Sequence, residues 1–222
     1  KLSSIAYKEG NYGLFPRIDK ALIEEYKEDV IALSGSLGGE IPHLVLNVGE
    51  TQAEEAVLYW KNLFGEDFYL EINRHGLEEE NRLNEVLVGF ARKHDIKLIA
   101  SNEYFYLDKD EAKAHDVLIC IKENEKQSTP IGRGRGFRHG LHNDDYYFKS
   151  QEEMKSSFGD IPEAIENIAE LIDKIEEYGL ERDVLLPAFD IPEEFLDPED
   201  ENDGGKRGEN AYLRHLTYLG AE

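Results

Sequence analysis

Apolar residues recur three and four apart in several blocks of this chain, and short unbroken apolar runs lie between those blocks. The first helical block spans residues 18–27, where Leu22, Ile23 and Tyr26 share a face behind Asp19 as a plausible N-cap. Residues 30–33 then form an apolar run with the length of a buried strand. A short helix begins over residues 41–47. Residues 51–64 make a clear amphipathic helix, with Ala56, Trp60 and Phe64 on one face and Gly65 as its stop. A second strand covers residues 68–72 and leaves through a polar exit that includes Arg74 and His75. The next helix, residues 80–94, carries Leu83, Val86, Leu87 and Phe90 as its buried stripe. A third strand follows at residues 97–100.

Three strand–helix alternations between residues 30 and 100 point to a parallel α/β sheet or barrel. They are fewer strands than a closed barrel needs. Residues 1–7 read as the tail of a helix and residue 1 is not Met, so the expectation is a fragment of a longer chain. Strand edges left without neighbours by such a cut would be templates for self-association.

The second half is more helical and more broken. Residues 109–123 are expected to be helical, residues 124–143 a loop, and residues 145–149 a short extended run. Ser150 and Glu153 form a capping-box pattern that opens another helix. Pro162 sits in the first turn of the helix after that, whose apolar face is Ile165, Ile168, Leu171, Ile172 and Ile175. Residues 186–192 read as extended, residues 197–209 as an acidic, Gly-containing linker, and residues 211–220 as a last helix. The expected division is residues 1–190 and residues 191–222.

Charge narrows the function classes. With 48 acidic against 25 basic residues, the net charge is −23. That opposes a nucleic-acid surface spread over the whole chain and binding to anionic membranes. No apolar run of about 18 residues is present to cross a bilayer, and no signal peptide opens the sequence. One cysteine, Cys120, excludes an internal disulfide framework and fits a reducing, cytoplasmic setting.

Candidate chemistry collects where strands end, because parallel α/β folds place ligands at the carboxyl ends of their strands. The third strand runs into Ser101, Asn102 and Glu103 and then an aromatic cluster, residues 104–106. Glu103 is either a site carboxylate or a loop acid that caps the next turn. The Gly/Ser-rich exit at residues 34–40 could cradle an anion or simply turn tightly, and it has no phosphate-loop lysine. Arg133, Arg135 and Arg138 lie with Phe137, His139 and His142 in the one basic loop. They could touch a phosphate backbone or pair with the protein's own acids. His139 and His142 lack the further ligands of a zinc site, and His115 is either a hydrogen-bonded structural residue or a ligand.

Residues 31–42 (IALSGSLGGEIP), 68–77 (FYLEINRHGL), 114–121 (AHDVLICI), 147–154 (YFKSQEEM), 186–192 (LPAFDIP) and 212–216 (YLRHL) together resemble the alpha-subunit family of bacterial DNA polymerase III. They resemble the second half of its N-terminal PHP (polymerase and histidinol phosphatase) domain and the first residues of its polymerase region. The resemblance implies part of a distorted seven-stranded β/α barrel with its first strands upstream, then a linker and the start of a helical polymerase region. It also implies a parent that is a DNA-directed DNA polymerase using Mg²⁺. Partners would be DNA, bound by the rest of that chain, and other replicative subunits including the proofreading exonuclease.

The complete PHP metal site takes a Cys at the position of Ser36 and an Asp and a His at those of Glu103 and Phe105. Serine is a poor ligand beside a thiolate, and phenylalanine cannot coordinate. The expectation is a degenerate metal site on a retained scaffold, with Glu103 as a possible residual ligand, no cofactor in this stretch and no catalytic residue of its own. The alternative is a surviving metal-dependent phosphoesterase or 3′–5′ exonuclease.

Overall fold

A computed structural model describes residues 1–13, 15–177, 179, 181, 190–196 and 208–221. The chain divides into two compact units, Lys1–Ile175 and Glu176–Glu222.

The first unit opens with α1 (Leu2–Lys8) and a two-residue antiparallel pair, β1 (Asn11–Tyr12) and β2 (Phe15–Pro16). In α2 (Lys20–Glu25) the Asp19 carboxylate caps as expected, accepting from the Leu22 N–H at 2.9 Å. Next come β3 (Ala32–Leu33), α3 (Glu40–Asn47), α4 (Glu50–Phe64), β4 (Phe68–Asn73), α5 (Glu78–His94) and β5 (Lys97–Ser101). The three strands form one parallel sheet in the order β3-β4-β5. The described residues therefore form a mixed α/β fold with a three-stranded parallel sheet.

Alternation along the strands sorts the sheet's two faces. Phe68, Leu70 and Ile72 of β4 and Leu98 and Ala100 of β5 enter one hydrophobic core. Ile41 and Val45 of α3, Ala53 and Val57 of α4, and Leu83, Leu87 and Phe90 of α5 complete that core. Trp60 and Phe64 only border it, so the buried face of α4 is rotated toward its small residues relative to the expected stripe. Tyr69, Glu71, Asn73 and Ile99 point to the opposite face.

A short 3-10 turn (Lys109–Glu111) leads into α6 (Ala112–Glu123), so the expected continuous helix has a tighter first turn. Residues 124–149 carry no regular strand, although Tyr147 makes a single parallel bridge to Tyr106. In α7 (Gln151–Ser157) the capping box forms as the sequence specifies: Ser150 Oγ accepts from Glu153 N–H, and Glu153 Oε2 accepts from Ser150 N–H at 2.8 Å. Next, α8 (Glu163–Asp173) packs along β5, beside which no further strand pairs among the described residues. Asn167 Nδ2 donates to the Leu98 carbonyl at 2.9 Å, and Glu170 accepts from Lys97 at 2.7 Å. A helix thus covers backbone that would otherwise recruit another strand. Ala164, Ile165 and Ile168 lie inward, whereas Ile172 and Ile175 are more than half exposed, so the apolar face of α8 is shorter than its sequence stripe.

In the second unit the described residues hold a 3-10 turn (Glu193–Phe195) and α9 (Glu209–Leu219), with the Phe195 ring 4.9 Å from that of His215. Most of the expected linker, residues 197–207, and residues 186–189 of the expected extended run lie outside the described residues.

Candidate functional site at the strand exits

Because β3, β4 and β5 are parallel, their carboxyl ends share one edge of the sheet, and the three segments that leave there are neighbours. Leaving β3, the Ser34 hydroxyl accepts from the Glu71 N–H at 2.9 Å, and the Gly39 N–H donates to the Ser36 carbonyl at 2.7 Å. Gly35 has φ +79°, and a Cβ on Gly39 would stand 2.6 Å from the Ser34 carbonyl oxygen. These glycines serve a tight turn. Ser36 is half-buried on it.

The exit of β4 is dominated by His75, which is 1% exposed. Its Nδ1 lies 2.7 Å from Glu80 Oε1, its Nε2 lies 2.9 Å from the Glu103 carbonyl oxygen, and its backbone N–H donates to Glu80 Oε2 at 2.6 Å. Both ring nitrogens are engaged by hydrogen-bond partners inside the protein. The Tyr146 ring stacks on the imidazole at 4.4 Å with 6° between planes. Asn143 Nδ2 donates to the His75 carbonyl at 2.6 Å.

Burial at 3% exposure would by itself raise the Glu80 carboxyl. The hydrogen bonds from the His75 ring and backbone, the attraction of His75 and a weaker contact from Leu77 N–H outweigh burial and hold it below the usual range. Burial chiefly, with the nearby Glu80 and Glu103 charges, pushes the Tyr146 hydroxyl up to about 12. Next to this cluster, Arg74 grips Asp160 with two nitrogens at 2.6 and 2.8 Å, also donates to the Ser157 carbonyl, and lies over the Phe158 ring. The exit of β4 is thereby fastened to the junction between α7 and α8.

Leaving β5, Asn102 Nδ2 donates to the Tyr147 carbonyl at 2.9 Å, and Lys149 donates to Asn102 Oδ1 at 3.1 Å. Glu103 gives its backbone carbonyl to His75, while its side chain is exposed. Phe105 donates its N–H to the Tyr146 carbonyl at 2.9 Å, and its ring lies 5.5 Å from His115 and 6.0 Å from Tyr146. Topology therefore brings Ser36, Glu103 and Phe105 to one edge, with His75 leaving the strand between them. Among the described residues no three His, Cys, Asp or Glu side chains gather to hold a metal ion. Phe105 has no lone pair to offer, and Ser36 offers only an alcohol, so these positions do not fit the metal centre implied by the resemblance.

Of the basic loop, Arg138 is buried and occupied. It forms a two-nitrogen pair with Asp116 at 2.7 and 3.0 Å and donates to the Thr129 and His139 carbonyls. The guanidinium, by its hydrogen bond, holds Asp116 below the usual carboxylate range. Arg133 and Arg135 are exposed.

Sequence reading did not single out the His75–Glu80–Tyr146 cluster. Glu78, Glu79 and Glu80 all stand in the first turn of α5, where acids complement the helix dipole, and only the fold shows which one turns inward. The pairing with Tyr146 spans 71 positions and has no local signal.

Comparison with known proteins gives the site its context. Residues 1–75 match the PHP domain family. The chain is 38% identical over 221 residues to the DNA polymerase III subunit alpha of Borreliella burgdorferi, covering 99% of this chain and 18% of that protein. It is 35% identical over 226 residues to that of Thermus aquaticus, covering 99% of this chain and 17% of the relative. Against the Campylobacter jejuni subunit it is 39% identical over 183 residues, covering 78% of this chain and 15% of the relative. The chain thus spans less than one fifth of the length of these relatives.

Proposed function

We propose that this chain, which is similar over 99% of its length to DNA polymerase III alpha subunits and matches the PHP domain family over residues 1–75, is a scaffold and interaction segment of a replicative DNA polymerase. The polymerase activity, its Mg²⁺ and the DNA it copies would belong to the remainder of such a subunit. The present stretch would be part of the PHP barrel, followed by the start of the polymerase region. The observation that carries the scaffold reading is the use of the strand-exit edge. At the edge where a phosphoesterase would need open ligands, His75 is buried under Tyr146 and fully engaged, and Phe105, at the position where the resemblance implies a ligand, has no donor atom in its side chain. Hydrolysis by a metal centre needs donors that fix the ion and leave coordination positions open.

A separate proofreading exonuclease is the partner this reading favours, because a PHP scaffold without its own nuclease leaves proofreading to another subunit. Nuclease assays on this chain with Mn²⁺ or Mg²⁺, and primer extension with all four nucleotides, test the reading. Neither shortened nor extended product is expected. Shortening of a 3′ end that disappears in Glu103→Gln would overturn it in favour of a surviving phosphoesterase.

A further inference from the structure

Residues 126–143 contain Lys126, Arg133, Arg135 and Arg138 and no acidic residue, inside a chain whose net charge is −23. The structure divides the labour among these arginines. Arg138 is the anchor: its pair with Asp116 of α6 and its bonds to the Thr129 and His139 carbonyls are all internal. The segment before it closes on itself, with Gly132 N–H donating to the Arg138 carbonyl at 3.0 Å and Arg138 N–H to the Pro130 carbonyl at 2.9 Å. Arg133 and Arg135 stand on the resulting tip, exposed, and neither is paired with a carboxylate among the described residues.

The residues between them are suited to close approach. Gly134 and Gly136 have φ +91° and +89°, and a Cβ on either would meet no atom within 4 Å, so the backbone at the tip is open to a ligand. Phe137 lies against Gly132, where an added Cβ would stand 2.5 Å from the ring, and half of its surface remains exposed. Two unpaired guanidinium groups next to a seated, half-exposed ring are the elements that bind a phosphate backbone and stack a base.

We propose that this loop is a contact for single-stranded nucleic acid, with Arg133 and Arg135 on consecutive phosphates and Phe137 under a base. An acidic peptide would use the arginines but leave the ring without a role. The surrounding negative charge confines the contact to the tip and makes it short and salt-sensitive. The proposal goes beyond the scaffold reading and stands apart from the strand-exit edge, so its failure would leave that reading untouched.

The test is fluorescence anisotropy of a labelled oligothymidylate 20-mer titrated with the whole chain at several salt concentrations. For about two phosphates on a single strand, log K should fall with log salt at a slope of roughly −1.4, or about sevenfold between 50 and 200 mM. The double variant R133A/R135A should lose most of this affinity and nearly all of the slope. The variant F137A should lose roughly fivefold or more while keeping the slope. All three residues are exposed, and unchanged circular dichroism and thermal midpoint would show that the variants fold. Undetectable binding at low salt, or binding unaffected in R133A/R135A, would overturn the proposal. So would a polyglutamate peptide of equal charge competing as well as the unlabelled oligonucleotide, which would assign the tip to an acidic protein instead.

Discussion

Removing the Glu80 side chain probes the strand-exit cluster at its most buried point. Glu80→Ala takes the carboxylate away from the His75 ring at 2.7 Å and from the His75 backbone N–H at 2.6 Å. Both residues are almost wholly excluded from solvent, so no water takes its place without rearrangement. Breaking a buried pair by deleting one partner destabilises by about 3–5 kcal/mol, since the remaining group stays buried and unpaired. At roughly 2–4 °C per kcal/mol for a domain of this size, the midpoint should fall by about 6–20 °C. Urea denaturation followed by circular dichroism reads the change directly, with a lower midpoint at an unchanged m-value.

The pH dependence has a definite sign. Because the folded Glu80 carboxyl is held below its unfolded value, its contribution is complete above the unfolded carboxylate range. It is lost as pH falls through the folded value, so parent and variant should converge in acid. The paired replacement H75F/E80L removes both polar partners and should be milder than Glu80→Ala alone. A loss below about 1 kcal/mol in Glu80→Ala, or a difference from the parent that does not shrink in acid, would refute the reasoning.

Two further outcomes are expected. Ser150→Ala should destabilise the α7 end by about 1 kcal/mol, because it removes the hydroxyl that accepts from the Glu153 N–H; urea midpoints check it. The Tyr147 hydroxyl and the Ser150 bonds hold the Glu153 carboxyl at about 2, so its stabilising effect is complete above the usual carboxylate range and lost as pH falls through about 2, which side-chain NMR titration would follow.

The helices and strands were largely legible in the sequence because local rules set them. Asp19 and Ser150 cap where their side chains reach the backbone, and β4 and β5 differ from expectation by a residue at one end. What was not legible depends on contacts distant in sequence. The stripe of α8 suggested a longer buried face, but the helix packs along β5 through Asn167 and Glu170, leaving Ile172 and Ile175 exposed. Similarly, Arg133, Arg135 and Arg138 read alike in the chain. Only the position of Asp116, one helix earlier, sets Arg138 apart as an anchor. At the site, the placement of Ser36, Glu103 and Phe105 at one edge followed from parallel strands, whereas the burial of His75 between Glu80, Tyr146 and the Glu103 carbonyl required the tertiary fold.

The central claim is that the strand-exit edge is a structural cluster rather than a metal centre. Its most direct test is the metal content of the purified chain after incubation with Zn²⁺ or Mn²⁺ and gel filtration, with Glu103→Gln measured in parallel. Far less than one ion per chain, and the same content in both proteins, is the predicted result. A stoichiometric ion that is lost in Glu103→Gln would contradict it.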